Sequence, residues 1–111
     1  MTIQEQYENL EKTIRGYNPA ADFQHIQAAF AFAREAHKDQ KRKSGEPYII
    51  HPLAVAQIVA EELRLDSESI EAALLHDVIE DTAATHEQVS KLFSPTIADL
   101  VEGVSKLTRI Q

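Results

Sequence analysis

The stretch "AALLHDVIEDT", residues 72–82, sets His76, Asp77, Glu80 and Asp81 among Ala, Leu, Val and Ile. Unpaired charge is costly to bury, so this composition asks for an ion or a basic ligand. On a continuous helix with His76 at zero, Glu80 falls at about 40°, Asp77 at about 100° and Asp81 at about 140°. Leu74, Leu75, Val78 and Ile79 occupy the opposite half, between about 160° and 300°. One half faces a core; the other presents an imidazole and three carboxylates. A divalent cation would offset the repulsion among the acids and take His76 and Asp77 as ligands. Neighbouring helical residues diverge, so the pair reaches one ion only at a particular tilt, and further ligands must come from elsewhere. His51, with its backbone fixed by the following Pro52, is the foremost candidate. His37 and His25 compete for that role, His37 lying near the apolar stripe of its helix. His25 and His86 read as surface or helix-end residues. The plainer alternative is a helix end solvated beyond Val78, with His76 a core histidine. Glu80 and Asp81 on the same face, and His51 upstream, favour the metal.

A second cluster has the opposite sign. Lys38, Lys41, Arg42 and Lys43 stand together in "KDQKRK", in a chain of formal net charge −7. A broadly acidic protein is a poor partner for nucleic acid, whose phosphates recruit broadly basic surfaces. A local basic patch suits a small anionic ligand better. On position alone the cluster reads as a solvated helix end, where Lys and Arg favour the last turn.

The elements that must hold these residues are helices. Ile3, Tyr7, Leu10 and Ile14 recur at helical steps, predicting a helix over 3–16 that ends at "GYNP". A second runs over 20–39, with a stripe of Phe23, Ile26, Ala29, Phe30, Ala33 and His37. "KRKSGEPYIIHP" is an irregular connection. A third helix is expected over 52–64, with Pro52 in its first turn. Asp66 or Ser67 is the N-cap of a fourth, continuous over 67–81. Thr85 and Gln88 form a capping box for a fifth, over 85–93. A sixth runs over 95–107 and contains Gly103. No segment alternates as a strand does. The fold class is therefore all-α, a bundle of about six helices.

The 111 residues suffice for one domain or part of one, and a 43% hydrophobic content supplies a core. The apolar runs are too short to span a bilayer, and the acidic, polar N-terminus is not a signal peptide. The absence of cysteine excludes disulfides, thiolate metal sites and Cys nucleophiles. It is compatible with a cytoplasmic setting.

His51, the "HD" of His76–Asp77 and the "ED" of Glu80–Asp81 resemble the HD superfamily of metal-dependent phosphohydrolases. The strings "RKSGEPYIIHPLAVAQIVAEEL" (42–63), "AALLHDVIEDT" (72–82) and "LVEGVSKLT" (100–108) are similar to the hydrolase domain of the RelA/SpoT family, the enzymes that make and degrade (p)ppGpp. That resemblance implies an HD helical bundle over 19–111, preceded by a helix over 1–18. It implies removal of pyrophosphate from the ribose 3′ position of (p)ppGpp, with Mn²⁺ as cofactor. It makes His51, His76 and Asp77 metal ligands, gives Glu80 and Asp81 the attacking water, and gives Arg42, Lys43 and Ser44 the nucleotide. The alternatives are a phosphohydrolase acting on another nucleotide, and a silent regulatory or partner-binding module. "KLTRIQ" lacks a helix-stop signal, and the family places another ligating Asp further downstream. The expectation is thus a partial domain with weak metal binding and negligible hydrolysis by itself. Such a piece exposes apolar surface and tends to dimerise or exchange helices.

Overall fold

The computed structural model describes residues 1–110, and residues 104–110 by backbone only. The end of the chain at Gln111, and the side chains of the "KLTRIQ" stop, lie outside the described residues. The helices are α1 (Ile3–Tyr17), α2 (Phe23–Ala36), α3 (Ile50–Ile58), α4 (Ser67–Leu75), α5 (Val78–Asp81), α6 (His86–Leu92) and α7 (Pro95–Ile110). A π-helical turn, Val59–Leu63, continues α3. The described residues form no strand, only an isolated antiparallel bridge between Lys41 and Pro47. The class is all-α as expected, and α4 with α5 corresponds to the predicted fourth helix.

Caps set several of the helix starts. Thr2 and Glu5 close a capping box on α1, and Thr85 and Gln88 close the predicted one on α6. Asp66 accepts from the Ser69 amide at 2.9 Å and is the N-cap of α4. Asp22 does the same for α2, accepting from the His25 amide at 3.1 Å. Each such cap is worth about 1 kcal/mol.

The core sits where the helical stripes meet. Tyr7, Leu10 and Ile14 of α1 are buried with Ile26, Ala29, Phe30 and Ala33 of α2. Tyr7 stacks on Phe30 with ring centroids 4.4 Å apart. α4 runs through the middle, packed on α2, α3 and α7, and buries Ile70, Leu74 and Leu75 completely. Burying each of these side chains contributes about 1.5–3 kcal/mol. α4 is therefore a rigid post, and the residues at its C-terminal end inherit a fixed position.

Two boundaries differ from the sequence expectation in ways that matter for the site. α2 stops at Ala36, so Lys38–Lys43 is not a helix end. The chain turns instead into a short hairpin. The Tyr48 amide donates to Gln40 O, Arg42 N to Glu46 O, and Gly45 N to Arg42 O. Gly45 has φ +90, the left-handed region that glycine occupies at low cost. The second difference is a break in the predicted helix 67–81. Asp77, at φ −100 and ψ −3, sits at the edge of the right-handed α region and becomes the N-cap of α5. Neither glycine nor proline stands there, and the Asp77 carboxylate meets Tyr48 from the hairpin at 2.7 Å. Among the described residues no helix is long and apolar enough to cross a membrane.

Candidate metal centre

Three elements converge at the break. His51 is the second residue of α3, His76 ends α4, and Asp77 opens α5. One ligand atom from each lies within 4.8 Å of the others. His76 Nε2 is 3.0 Å, and His51 Nε2 3.5 Å, from Asp77 Oδ2. Two donors each about 2.1 Å from one ion, at right angles, lie about 3 Å apart. The spacing therefore fits neighbouring positions around a single divalent cation. The donor set, two imidazoles and a carboxylate, suits ions of the Mn²⁺ to Zn²⁺ series.

The helix break resolves the geometric difficulty of neighbouring ligands. On an unbroken helix His76 and Asp77 would point about 100° apart. With the helix interrupted at Asp77, its carboxylate lies 3.0 Å from His76 Nε2. The imidazole is itself oriented: its Nδ1 lies 2.7 Å from Ala73 O. A carbonyl only accepts, so Nδ1 carries the hydrogen there and Nε2 faces the Asp77 carboxylate.

The electrostatics couple the three groups. Burial disfavours the charged form of His76, yet its hydrogen bonds to Asp77 and Ala73 and the negative charge of Asp77 and Asp81 outweigh that and raise its pKa. Asp77 is pushed up by burial and down more strongly by hydrogen bonds from His76 and Tyr48, so its pKa falls. His51 is lowered, first by burial and then by His76 and Arg42, against the opposing charge of Asp77. The shift favours the neutral form that a metal ligand needs.

The remaining expected site residues fall around this trio. Asp81 is exposed, yet its Oδ2 lies 3.3 Å from the Tyr48 hydroxyl, which also approaches Asp77 Oδ2 at 2.7 Å. Glu80 is exposed on α5 and lies outside the convergent group. The single acidic face read from a continuous helix is thus divided: Asp77 turns inward, while Glu80 and Asp81 stay on the following turn. Arg42, Lys43 and Ser44 line an open cleft of about 530 Å³ together with Tyr48 and His51. The basic hairpin and His51 of the trio line the same cleft.

His37 and His25 are not part of the convergent trio. His37 caps α2, is buried, and packs its ring 4.6 Å from that of Tyr48. His25 pairs with Asp22 at 3.0 Å on the surface, and His86 with Asp99 at 3.0 Å. Two residues went unassigned from sequence, Tyr48 and Gln40. Tyr48 precedes His51 by one helical turn, the only local hint that its ring would stand beside the imidazole.

The sequence profile of the HD domain family matches residues 29–111. The chain belongs to the HD domain family. Within it, this HD domain groups with the RelA/SpoT proteins. It is 50% identical over 105 residues to the bifunctional (p)ppGpp synthase/hydrolase SpoT of Escherichia coli (strain K12), covering 95% of the chain and 15% of that relative. It is 52% identical over 104 residues to the guanosine-3′,5′-bis(diphosphate) 3′-pyrophosphohydrolase of Aquifex aeolicus, covering 94% of the chain and 14% of the relative. A solved structure of a metazoan ortholog of SpoT, which hydrolyses ppGpp, superposes with a TM-score of 0.70 at 37% identity. The match covers 73% of the chain and 47% of that protein. The HD domain thus spans about one seventh of the length of these curated relatives. An HD hydrolase domain with a His/Asp cluster of this kind is built for a divalent metal.

Proposed function

We propose that this domain removes pyrophosphate from the 3′ position of (p)ppGpp, leaving GDP or GTP, with Mn²⁺ held by His51, His76 and Asp77. The observation that carries the reading is the shared cleft: Arg42, Lys43 and Ser44 line it together with His51, a member of the trio. A substrate with dense negative charge would meet cations and the hydrolytic centre together. The relatives named above, and the structural neighbour that hydrolyses ppGpp, support the substrate class.

The geometry supports a division of labour. The bound cation would polarise a phosphoryl oxygen and lower the pKa of water. Arg42 and Lys43 bind the nucleotide as cations on an ordered hairpin, and Ser44 adds a hydroxyl at its tip. His76 is held by Ala73 O so that Nε2 faces the ligand position. Glu80 and Asp81, exposed on the turn that follows Asp77, offer carboxylate oxygens that accept a proton from attacking water. Residues 19–111 supply the HD portion in this reading, with 1–18 a helix packed on it. The protein works in the cytoplasm. Exposed Ile58, Leu63, Leu65, Leu92 and Leu100 supply apolar surface through which a second copy of this chain would associate.

The test is pyrophosphate release from ppGpp by the full-length protein, measured with Mn²⁺, with other divalent ions and with chelator. Release that requires a divalent ion, and is fastest with Mn²⁺, is expected. Undiminished release in chelator, or turnover of unrelated nucleotides with ppGpp untouched, would sink the reading.

A further inference from the structure

The basic hairpin and the acidic turn are fastened together at one place. Gln40 and Tyr48 face each other across the open end of the hairpin, the Tyr48 amide donating to Gln40 O at 3.0 Å. Both side chains then reach the same residue of α5. Gln40 Nε2 donates to the Asp81 carbonyl, and the Tyr48 hydroxyl lies 3.3 Å from Asp81 Oδ2. That hydroxyl also lies 2.7 Å from Asp77 Oδ2. A phenol has one hydrogen to give. The shorter distance assigns it to Asp77, with Asp81 within reach of the same oxygen.

The ring that carries this hydroxyl is held from two sides. His37 lies 4.6 Å away and His51 5.8 Å away, centroid to centroid. His37 is in turn fixed by Gln40. Because the Gln40 amide nitrogen faces Asp81 O, its Oε1 must accept, and it lies 2.6 Å from His37 Nδ1. Tyr48 therefore cannot swing away without disturbing both the hairpin base and the histidine behind it.

Asp77 needs such a partner. It sits at a helix break with no Gly or Pro to define it, and no backbone donor caps its side chain. A carboxylate that binds metal is commonly oriented by a hydrogen-bond donor behind it. From this geometry we infer that Tyr48 is a positioning residue, which locks the ligand Asp77 beside Asp81 and ties both to the hairpin bearing Arg42 and Lys43. The inference rests on the hydrolase reading and assigns a specific part within it.

The experiment is Tyr48→Phe in the full-length protein, which keeps the ring packing and removes only the hydroxyl. Mn²⁺ uptake is followed by electron paramagnetic resonance, with His76→Ala as baseline so that only ions at this centre are counted. The expected result is an affinity about 10-fold or more weaker, with helix content unchanged. Turnover of ppGpp should lose kcat by about 10–100-fold, with KM within about twofold, because the hydroxyl touches carboxylates and not the basic hairpin. Wild-type Mn²⁺ affinity and kcat in Tyr48→Phe would overturn the inference and leave the hydrolase reading standing. A loss confined to thermal stability would also overturn it and make Tyr48 a packing residue. If the wild-type protein takes up His76-dependent Mn²⁺ but leaves ppGpp intact, the hydrolase reading fails, and the Mn²⁺ comparison still decides the role of Tyr48. A wild-type protein with no His76-dependent Mn²⁺ would remove the positioning role together with the metal centre.

Discussion

His76 Nδ1 stands 2.7 Å from the carbonyl oxygen of Ala73, one turn back on the same helix. This contact uses a backbone acceptor at the end of α4 to orient the imidazole of a candidate metal ligand. It also explains why a histidine ends the helix: the ring closes over a carbonyl that would otherwise be short of partners.

His76→Ala should therefore abolish Mn²⁺ binding and ppGpp turnover while leaving helix content nearly unchanged. Leu74 and Leu75 hold α4 in the core without help from the imidazole. Asp77→Asn, which keeps the shape and removes the charge, should weaken metal binding in the same direction. Circular dichroism and elemental analysis check both variants. Full activity in either would remove that residue from the ligand set.

Glu80 should behave differently. It is exposed and outside the convergent group, so metal affinity does not depend on it. Glu80→Gln is expected to retain bound metal yet lower kcat by about 10²–10⁴, the range for losing a proton acceptor. Metal loss in this variant would instead make Glu80 a ligand.

Much of this was legible in the residues, and the misses have physical causes. The apolar stripes on α1 and α2 and the caps at Asp66 and Thr85 are local, and local signals survive into the fold. His51, His76 and Asp77 were legible by chemical type. The break at Asp77 was not, because it goes with contacts from Tyr48 and Gln40 across the hairpin that no local pattern contains. The helical projection therefore grouped Asp77 with Glu80 and Asp81 on a face that the structure divides. The basic cluster was misread as a helix end for the same reason. Its hairpin is closed by backbone bonds between residues 40–42 and 45–48, which periodicity does not register.

Arg42 should govern substrate affinity. It lines the cleft shared with His51, and its charge contributes to holding the His51 pKa down. Arg42→Ala is expected to raise KM for ppGpp more than it lowers kcat, the signature of lost ground-state binding. Steady-state kinetics decide it, and an unchanged KM would return Arg42 to the solvated surface.

Glu71 links stability to pH away from the metal trio. It lies on α4 with only 1% of its surface exposed, and its Oε1 has no hydrogen-bond partner. Burial raises its pKa from the ordinary 4.5 to about 7; His25 opposes the rise, while Asp22, Glu68 and Asp66 add to it. A carboxyl whose pKa is raised by folding favours the folded state in its protonated form. That contribution is complete below about pH 4.5 and is lost as pH rises through about 7. The full difference is on the order of 3 kcal/mol. Glu71→Gln, neutral at every pH, should remove this dependence. Between pH 5 and pH 8 the urea midpoint of the wild type should fall relative to that of the variant, with the variant the more stable at the alkaline end. Carboxylates elsewhere, such as Asp66 with its lowered pKa, titrate in both proteins and cancel in the comparison. Parallel pH profiles for the two proteins would mean that Glu71 ionises in the folded state as readily as in water.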